Sequence, residues 1–160
     1  MTFEYKSACD HKDLMTELYK EYNDILIETD PSFADCLAMQ NYDREIEELE
    51  EKYSPPFNNL TVVLDGDTAV ACVGIKKFSD EICELKRLYV RPEYRKHGLG
   101  RYLTEMMIEK ARQIGYKYMY LDTMPGLKSA VRLYERMGFY EIEKYYPNPV
   151  DKVIYLCYDL

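Results

Sequence analysis

Two glycines two positions apart, Gly98 and Gly100, stand in a basic frame of Arg95, Lys96, His97 and Arg101. Glycine has no Cβ, so a ligand can come close to the backbone at such positions. Where a helix begins there, its free N–H groups form a positive concavity suited to phosphate. The flanking side chains add full charges, and the spacing points to a phosphorylated ligand. A nucleotide P-loop would need Gly-Lys-Ser/Thr, where this chain has Leu99-Gly100-Arg101. A dinucleotide turn would need a third glycine where Leu103 stands, although Asp122 lies at the right distance for its acidic residue.

The neighbouring residues supply elements that can position this loop. Cys83 to Val90 reads as a strand leading into it. Leu99, Leu103, Met106, Met107, Ala111 and Ile114 fall on one face of a helix leading out, and Gly115 suits its C-terminal cap. Upstream, residues 2–8 read as a strand and His11 to Thr29 as a helix, stopped by Asp30-Pro31. A helical region, in one or two pieces, is expected over 32–53, before Ser54-Pro55-Pro56. Strands at 60–64 and 69–75 flank the hairpin signal Asp65-Gly66-Asp67. Downstream come a strand over 116–121, a helix over 126–137 closed by Gly138, and strands over 139–143 and 152–158. The expected fold class is α/β, a mixed and mostly antiparallel sheet of six to seven strands flanked by about four helices. Residues 1–160 are expected to form one domain, since a chain of this length can bury roughly 70% of its unfolded surface.

The run ELKRLYVRPEYRKHGLGRYL resembles the fourth strand, pyrophosphate loop and third helix of the GNAT superfamily of N-acetyltransferases. Ser129 to Phe139, SAVRLYERMGF, is similar to that family's last helix and the strand after it. The two motifs occur in the right order, about thirty residues apart, with a strand between them. The resemblance implies acetyl-coenzyme A as co-substrate, held by Arg95, Lys96, His97, Gly98, Leu99, Gly100 and Arg101. It also implies that the backbone of Leu88, Tyr89 and Val90 pairs with the pantetheine arm. The Leu88 N–H then becomes the candidate donor to the thioester carbonyl. Many members of that family carry asparagine where this chain has Leu127, so the resemblance does not carry that cofactor contact over.

The same resemblance makes Tyr134 the candidate acid for the leaving thiolate, since a phenol with pKa ~10 suits a thiol. The plain alternative is that Tyr134 belongs to a core stripe with Ala130, Leu133 and Met137. Glu84 is the candidate base. Strand alternation is expected to place Glu84, Lys86, Leu88 and Val90 on one face. The alternative for Glu84 is a surface carboxylate paired with Lys86 or Lys76. For the acceptor, Tyr145 and Tyr146, fixed by Pro147 and Pro149, are expected to wall the site, and Asp122, Asp43 or Glu45 to hold a cation.

Charge is unevenly spread. Residues 10–51 carry a net −11 and the remainder +3, while residues 86–101 hold six bases (Lys86, Arg87, Arg91, Arg95, Lys96, Arg101) against Glu93 alone. A basic segment attracts a polyanionic cofactor, and an acidic region either attracts a cationic amine or simply solvates helix faces. The absence of a broad basic surface argues against nucleic acid as the main partner. No apolar run approaches the ~20 residues of a membrane span, and the polar N-terminus does not read as a signal peptide. A cytoplasmic location is expected. The five cysteines are scattered without CxxC spacing, which fits neither a disulfide framework nor a zinc site, and no metal is expected. The resulting reading is transfer of an acetyl group from acetyl-CoA to the primary amine of a small molecule. The alternatives are a protein lysine or N-terminal acetyltransferase, a non-catalytic coenzyme A sensor, and a toxin-like enzyme acting on charged tRNA. A homodimer is compatible with the resemblance.

Overall fold

The structure is a computed structural model that describes residues 1–39 and 42–160, apart from the side chains of residues 42 and 43. Its centre is a seven-stranded sheet in the order β1-β2-β3-β4-β5-β7-β6. The strands are β1 Phe3–Ser7, β2 Asn59–Asp65, β3 Thr68–Lys77, β4 Ile82–Val90, β5 Tyr118–Thr123, β6 Tyr140–Ile142 and β7 Ile154–Asp159. Every neighbouring pair is antiparallel except β4–β5. The α/β class and the mixed, mostly antiparallel sheet are as the sequence indicates.

Helices cover both faces. On one side lie α1 (Lys12–Thr29) and the short segments α2 (Phe33–Met39), α3 (Tyr42–Glu45) and α4 (Leu49–Lys52). They pack Met15, Leu18, Leu37 and Leu49 against Leu60, Val62, Cys72 and Tyr89. On the other side lie α5 (Leu99–Ile114) and α6 (Lys128–Met137), which bury Leu103, Met107 and Tyr134 against Val73, Ile75, Leu85 and Val90. The region 32–53 thus forms three short pieces, giving six helices among the described residues rather than about four. None of them is long and apolar enough to cross a membrane.

Two local departures from expectation follow from backbone hydrogen bonding. The strand expected from Tyr116 begins at Tyr118, because the Tyr116 N–H donates to Ala111 O (3.1 Å) and closes the end of α5 instead. Gly115, at φ +107°, makes the left-handed turn which that closure needs. Pro92–His97 forms a 3-10 turn before α5 rather than an open loop.

Candidate active site

The parallel pairing of β4 with β5 stops early. Ile82, Cys83 and Glu84 face Tyr118, Met119 and Tyr120, and beyond these residues the two strands part. β5 continues to pair with β7 as far as Thr123, while β4 pairs only with β3. The backbone of β4 beyond Glu84 therefore borders an opening in the sheet. A cavity occupies this opening, lined by Tyr22, Phe33, Lys86, Leu88, Asp122 and Tyr134 among others.

β4 also carries an irregularity within the opening. Gly74 pairs with Lys86, but Cys72 pairs with Tyr89, so β4 holds one residue more than β3 over this stretch. Arg87 takes up the excess at φ +57°, a left-handed conformation that a residue with a Cβ adopts only at a cost. Its carbonyl accepts the Cys72 thiol at 3.1 Å. Its guanidinium is almost completely buried and meets Glu45 through Nε (2.8 Å) and Nη2 (3.2 Å), and the Tyr53 hydroxyl donates to the same carboxylate at 3.2 Å. Burial alone would push the Glu45 carboxyl up, but the Arg87 charge and hydrogen bonds outweigh it and hold the group below the usual glutamate range.

The bulge corrects the expected alternation. Glu84, Lys86, Leu88 and Val90 do not share a face. Leu88 and Val90 pack with the α5 side, whereas Tyr89 and Arg87 turn toward α1 and α3. A signal for this is present in β4 itself. Its inward apolar residues fall at 83, 85, 88 and 90, a two-residue period with one step of three. Glu45 is likewise corrected: its carboxylate is taken by Arg87 and is not open to a cationic ligand. The Asp43 side chain lies outside the described residues.

Four of the six bases in the 86–101 segment are already matched by carboxylates. Lys86 lies 3.5 Å from Glu84, Arg87 2.8 Å from Glu45, Arg91 2.7 Å from Glu21 and Arg101 2.8 Å from Glu105. The acids that serve Arg87 and Arg91 come from the acidic stretch 10–51. The excess of positive charge along the chain is therefore smaller in space than in sequence. Arg95 donates through Nε to Val90 O (2.8 Å) and lies over the Tyr89 ring, while Lys96 and His97 are exposed. Gly98 caps the start of α5 at φ +71°, and the N–H groups of the first turn have no carbonyl one turn earlier to bond. A Cβ placed on Gly100 would meet Leu133 at 3.6 Å and Val90 at 4.0 Å, in the groove between α5, α6 and the end of β4.

The α1 side of the opening holds the carboxylates. Tyr145 donates to Glu84 at 2.8 Å, and Tyr146 donates to Asp122 at 2.6 Å. Asn148 fixes the loop that carries both tyrosines. It donates to the Tyr146 hydroxyl (2.7 Å), accepts from the Val150 N–H (3.0 Å) and has its carbonyl held by Lys144 (2.9 Å). Tyr145 further packs on Phe78, Tyr120 and Tyr155. Burial, then the adjacent carboxylates, pushes both phenols far above the ordinary tyrosine value. Asn148 carries no sequence signal beyond its place between Pro147 and Pro149. Across the opening, Tyr134 is buried against Phe139 yet lines the cavity, and nothing among the described residues hydrogen-bonds its hydroxyl. Burial raises its pKa well above the ordinary phenol value. Leu127 packs toward the α1-side core and offers no polar side chain.

A sheet parted beside a glycine-started helix can hold an extended, phosphate-bearing ligand, with carboxylates and phenols near its reacting end. A family model for the GNAT acetyltransferases matches residues 14–139. The chain is 43% identical over 122 residues to an uncharacterized N-acetyltransferase of Schizosaccharomyces pombe, covering 75% of each protein. An acetyltransferase from Streptococcus agalactiae has the same fold, with a TM-score of 0.82 at 23% identity over 99% of this chain and 98% of that one. So does the PaiA N-acetyltransferase of Thermoplasma acidophilum, solved in complex with coenzyme A, with a TM-score of 0.73 at 16% identity over the full length (100%) of both chains. The chain belongs to the GNAT acetyltransferase family and is an acyltransferase.

Proposed function

We propose that residues 1–160 form a single domain that transfers an acetyl group from acetyl-CoA directly to the primary amine of a small molecule. The observation that carries this reading is the parting of β4 from β5 after Glu84 and Tyr120, directly before the glycine-started helix. The residues present suit coenzyme A. The first turn of α5 has unbonded N–H groups, Lys96 and His97 are exposed beside it, and Gly100 leaves a groove against Leu133 and Val90. Gly98 to Arg101 would hold the pyrophosphate, with Arg95, Lys96 and His97 adding charge. The free β4 edge at Leu88, Tyr89 and Val90 would pair with the pantetheine arm.

The chemistry needs an amine lone pair, a polarised thioester carbonyl and a proton for the departing sulfur. In this reading the Leu88 N–H, beside the bulge, polarises the carbonyl. Glu84 takes the amine proton as the N–C bond forms and the C–S bond breaks. Tyr134 gives its proton to the thiolate, and its raised pKa keeps the phenol protonated at neutral pH. Asp122, Tyr145 and Tyr146 flank the acceptor. The tyrosine loop is tied down at Glu84, Asp122 and Asn148, which supports a small acceptor over a long peptide.

Product mass spectrometry with acetyl-CoA and a panel of polyamines, aminoglycosides, amino acids and lysine peptides tests the reading. One acetyl group added to a small amine supports it. Acetylation of peptides alone, or coenzyme A binding with no product, overturns it.

A further inference from the structure

Among the described residues Lys76 has no partner, although strand geometry offers one. It sits directly opposite Glu84 in the β3–β4 ladder, and residues so placed have Cβ atoms about 5 Å apart. A lysine facing a glutamate there normally forms a cross-strand ion pair. Here the Glu84 carboxylate is drawn to the Tyr145 hydroxyl (2.8 Å) and leans toward Lys86 (3.5 Å). Lys76 makes no ion pair or hydrogen bond with any described residue, although it is partly buried.

Its surroundings make this costly. Gly74 pairs with Lys86, so Lys76 and Lys86 are diagonal neighbours, with Cβ atoms roughly 7–8 Å apart. Lys86 is 14% exposed and lines the cavity in the sheet opening. Burial, then the like charges of Lys86 and Lys52, pushes the Lys76 pKa down, against the pull of Glu45 and Glu84. Glu45 is committed to Arg87, Glu84 to Tyr145, and Lys52 already has Glu48 at 3.4 Å. Lys76, with no ion pair among the described residues, and Lys86, whose Glu84 partner is shared with Tyr145, thus lie on one face of the sheet, Lys86 lining the cavity, in a chain of net charge −8. Asp122 lines the same cavity, so the opening offers an acceptor both signs of charge.

We propose that the acceptor carries, besides its amine, an anionic group (a carboxylate or a phosphate) that Lys76 and Lys86 hold together. This rests on the acyl-transfer reading of the same site and names its substrate class. The amine lies toward Asp122 and Glu84, and the acid toward the two lysines, so the acceptor is zwitterionic when it binds. A charge-assisted contact from two lysines gives roughly tenfold or more discrimination over a matched uncharged amine.

The test uses matched amines with the intact protein: glycine and glycinamide, 4-aminobutyrate and its amide, phosphoethanolamine and ethanolamine. For each pair, kcat/KM with acetyl-CoA and calorimetric affinity for the coenzyme A-loaded protein are measured in the parent, Lys76→Gln, Lys76→Glu and Lys86→Gln. Coenzyme A affinity in each variant checks that the fold is intact. The expected result is at least a tenfold preference for the acid-bearing member of one or more pairs, abolished by Lys76→Gln and by Lys76→Glu. The first two pairs against the third separate carboxylate from phosphate. A ratio near one in every pair overturns the proposal, as does a preference that survives in all three variants. If coenzyme A binds and no amine is acetylated, the acyl-transfer reading fails, and the calorimetric ratios still decide whether the lysines select an acid.

Discussion

Replacing Glu45 by glutamine should unseat the bulge in β4. The Glu45 side chain is 4% exposed and that of Arg87 is 8% exposed, and the two meet through a bidentate contact of 2.8 and 3.2 Å. Exposed pairs are worth about 0–1 kcal/mol. Removing one partner of a buried pair costs about 3–5 kcal/mol, because the other charge stays out of water. In a chain of 160 residues this corresponds to a fall in Tm of roughly 6–20 °C. The Glu45 carboxyl is held below its ordinary value, so its stabilisation is fully present at neutral pH and is lost as pH falls through the lowered value. The gap between parent and Glu45→Gln should therefore close in acid. Arg87→Met should cost a similar amount, and Glu45→Met/Arg87→Met should cost at least about 2 kcal/mol less than the two single methionine changes together. Urea denaturation followed by circular dichroism measures all four variants. Since Leu88 adjoins Arg87, kcat of Glu45→Gln should also fall about tenfold at temperatures where the variant is folded, if Leu88 is the carbonyl donor. A Glu45→Gln protein within about 1 kcal/mol of the parent, or single changes that simply add, would refute the idea that the pair holds the bulge.

Further outcomes follow from the same site. Gly100→Val fills the groove against Leu133 and Val90 and should weaken coenzyme A binding at least tenfold by calorimetry, with little change in Tm. Gly98→Ala meets no neighbouring atom and suffers only the strain of φ +71°, roughly 1–2 kcal/mol, so Tm should fall more than affinity does. Tyr134→Phe should lower kcat about a hundredfold and leave stability nearly unchanged, because the hydroxyl has no partner among the described residues. An unchanged kcat would return Tyr134 to a packing role. Burial pushes Tyr22, Tyr89 and Tyr116 up to about 12. Raised phenols contribute fully below pH ~10, and that stability is lost as pH rises through 12, at about 1.4 kcal/mol per pH unit for each group. Urea midpoints that stay flat between pH 8 and 11 would contradict this.

Much of the frame is legible in the chain because it depends on local pattern. The amphipathic stripe of α5, the glycines at 98, 115 and 138, and the hairpin at 65–67 each encode a feature that neighbouring residues alone decide. The pairing of Glu84 with Tyr145 and of Asp122 with Tyr146 is different. Those contacts join residues 61 and 24 positions apart, and no local rule specifies them. The acidic stretch 10–51 shows the same limit. Glu21 and Glu45 meet Arg91 and Arg87 only once α1 and α3 have packed on the sheet, so a linear charge count overstates the positive field at the loop. Arg87 at positive φ has no residue-type signal, since glycine or asparagine would be the ordinary choice there.

On the proposed reading, the extra residue in β4 lets one strand serve two ligands. In a regular strand Leu88 and Val90 would lie on the face of Glu84, and everything the strand offers a reaction would point one way. The bulge turns the end of the strand over. Before it, Glu84 and Lys86 address the α1 side, where Tyr145 and Asp122 gather, while after it Leu88 and Val90 address the α5 side, where the glycine turn and Tyr134 lie. The two sides meet at the opening where β4 leaves β5. An acyl donor approaching from one side and an amine from the other would meet at the bulge itself. On the proposed reading, the strained conformation of Arg87 is therefore retained for geometry, and Glu45 supplies the interaction that lets the fold tolerate it.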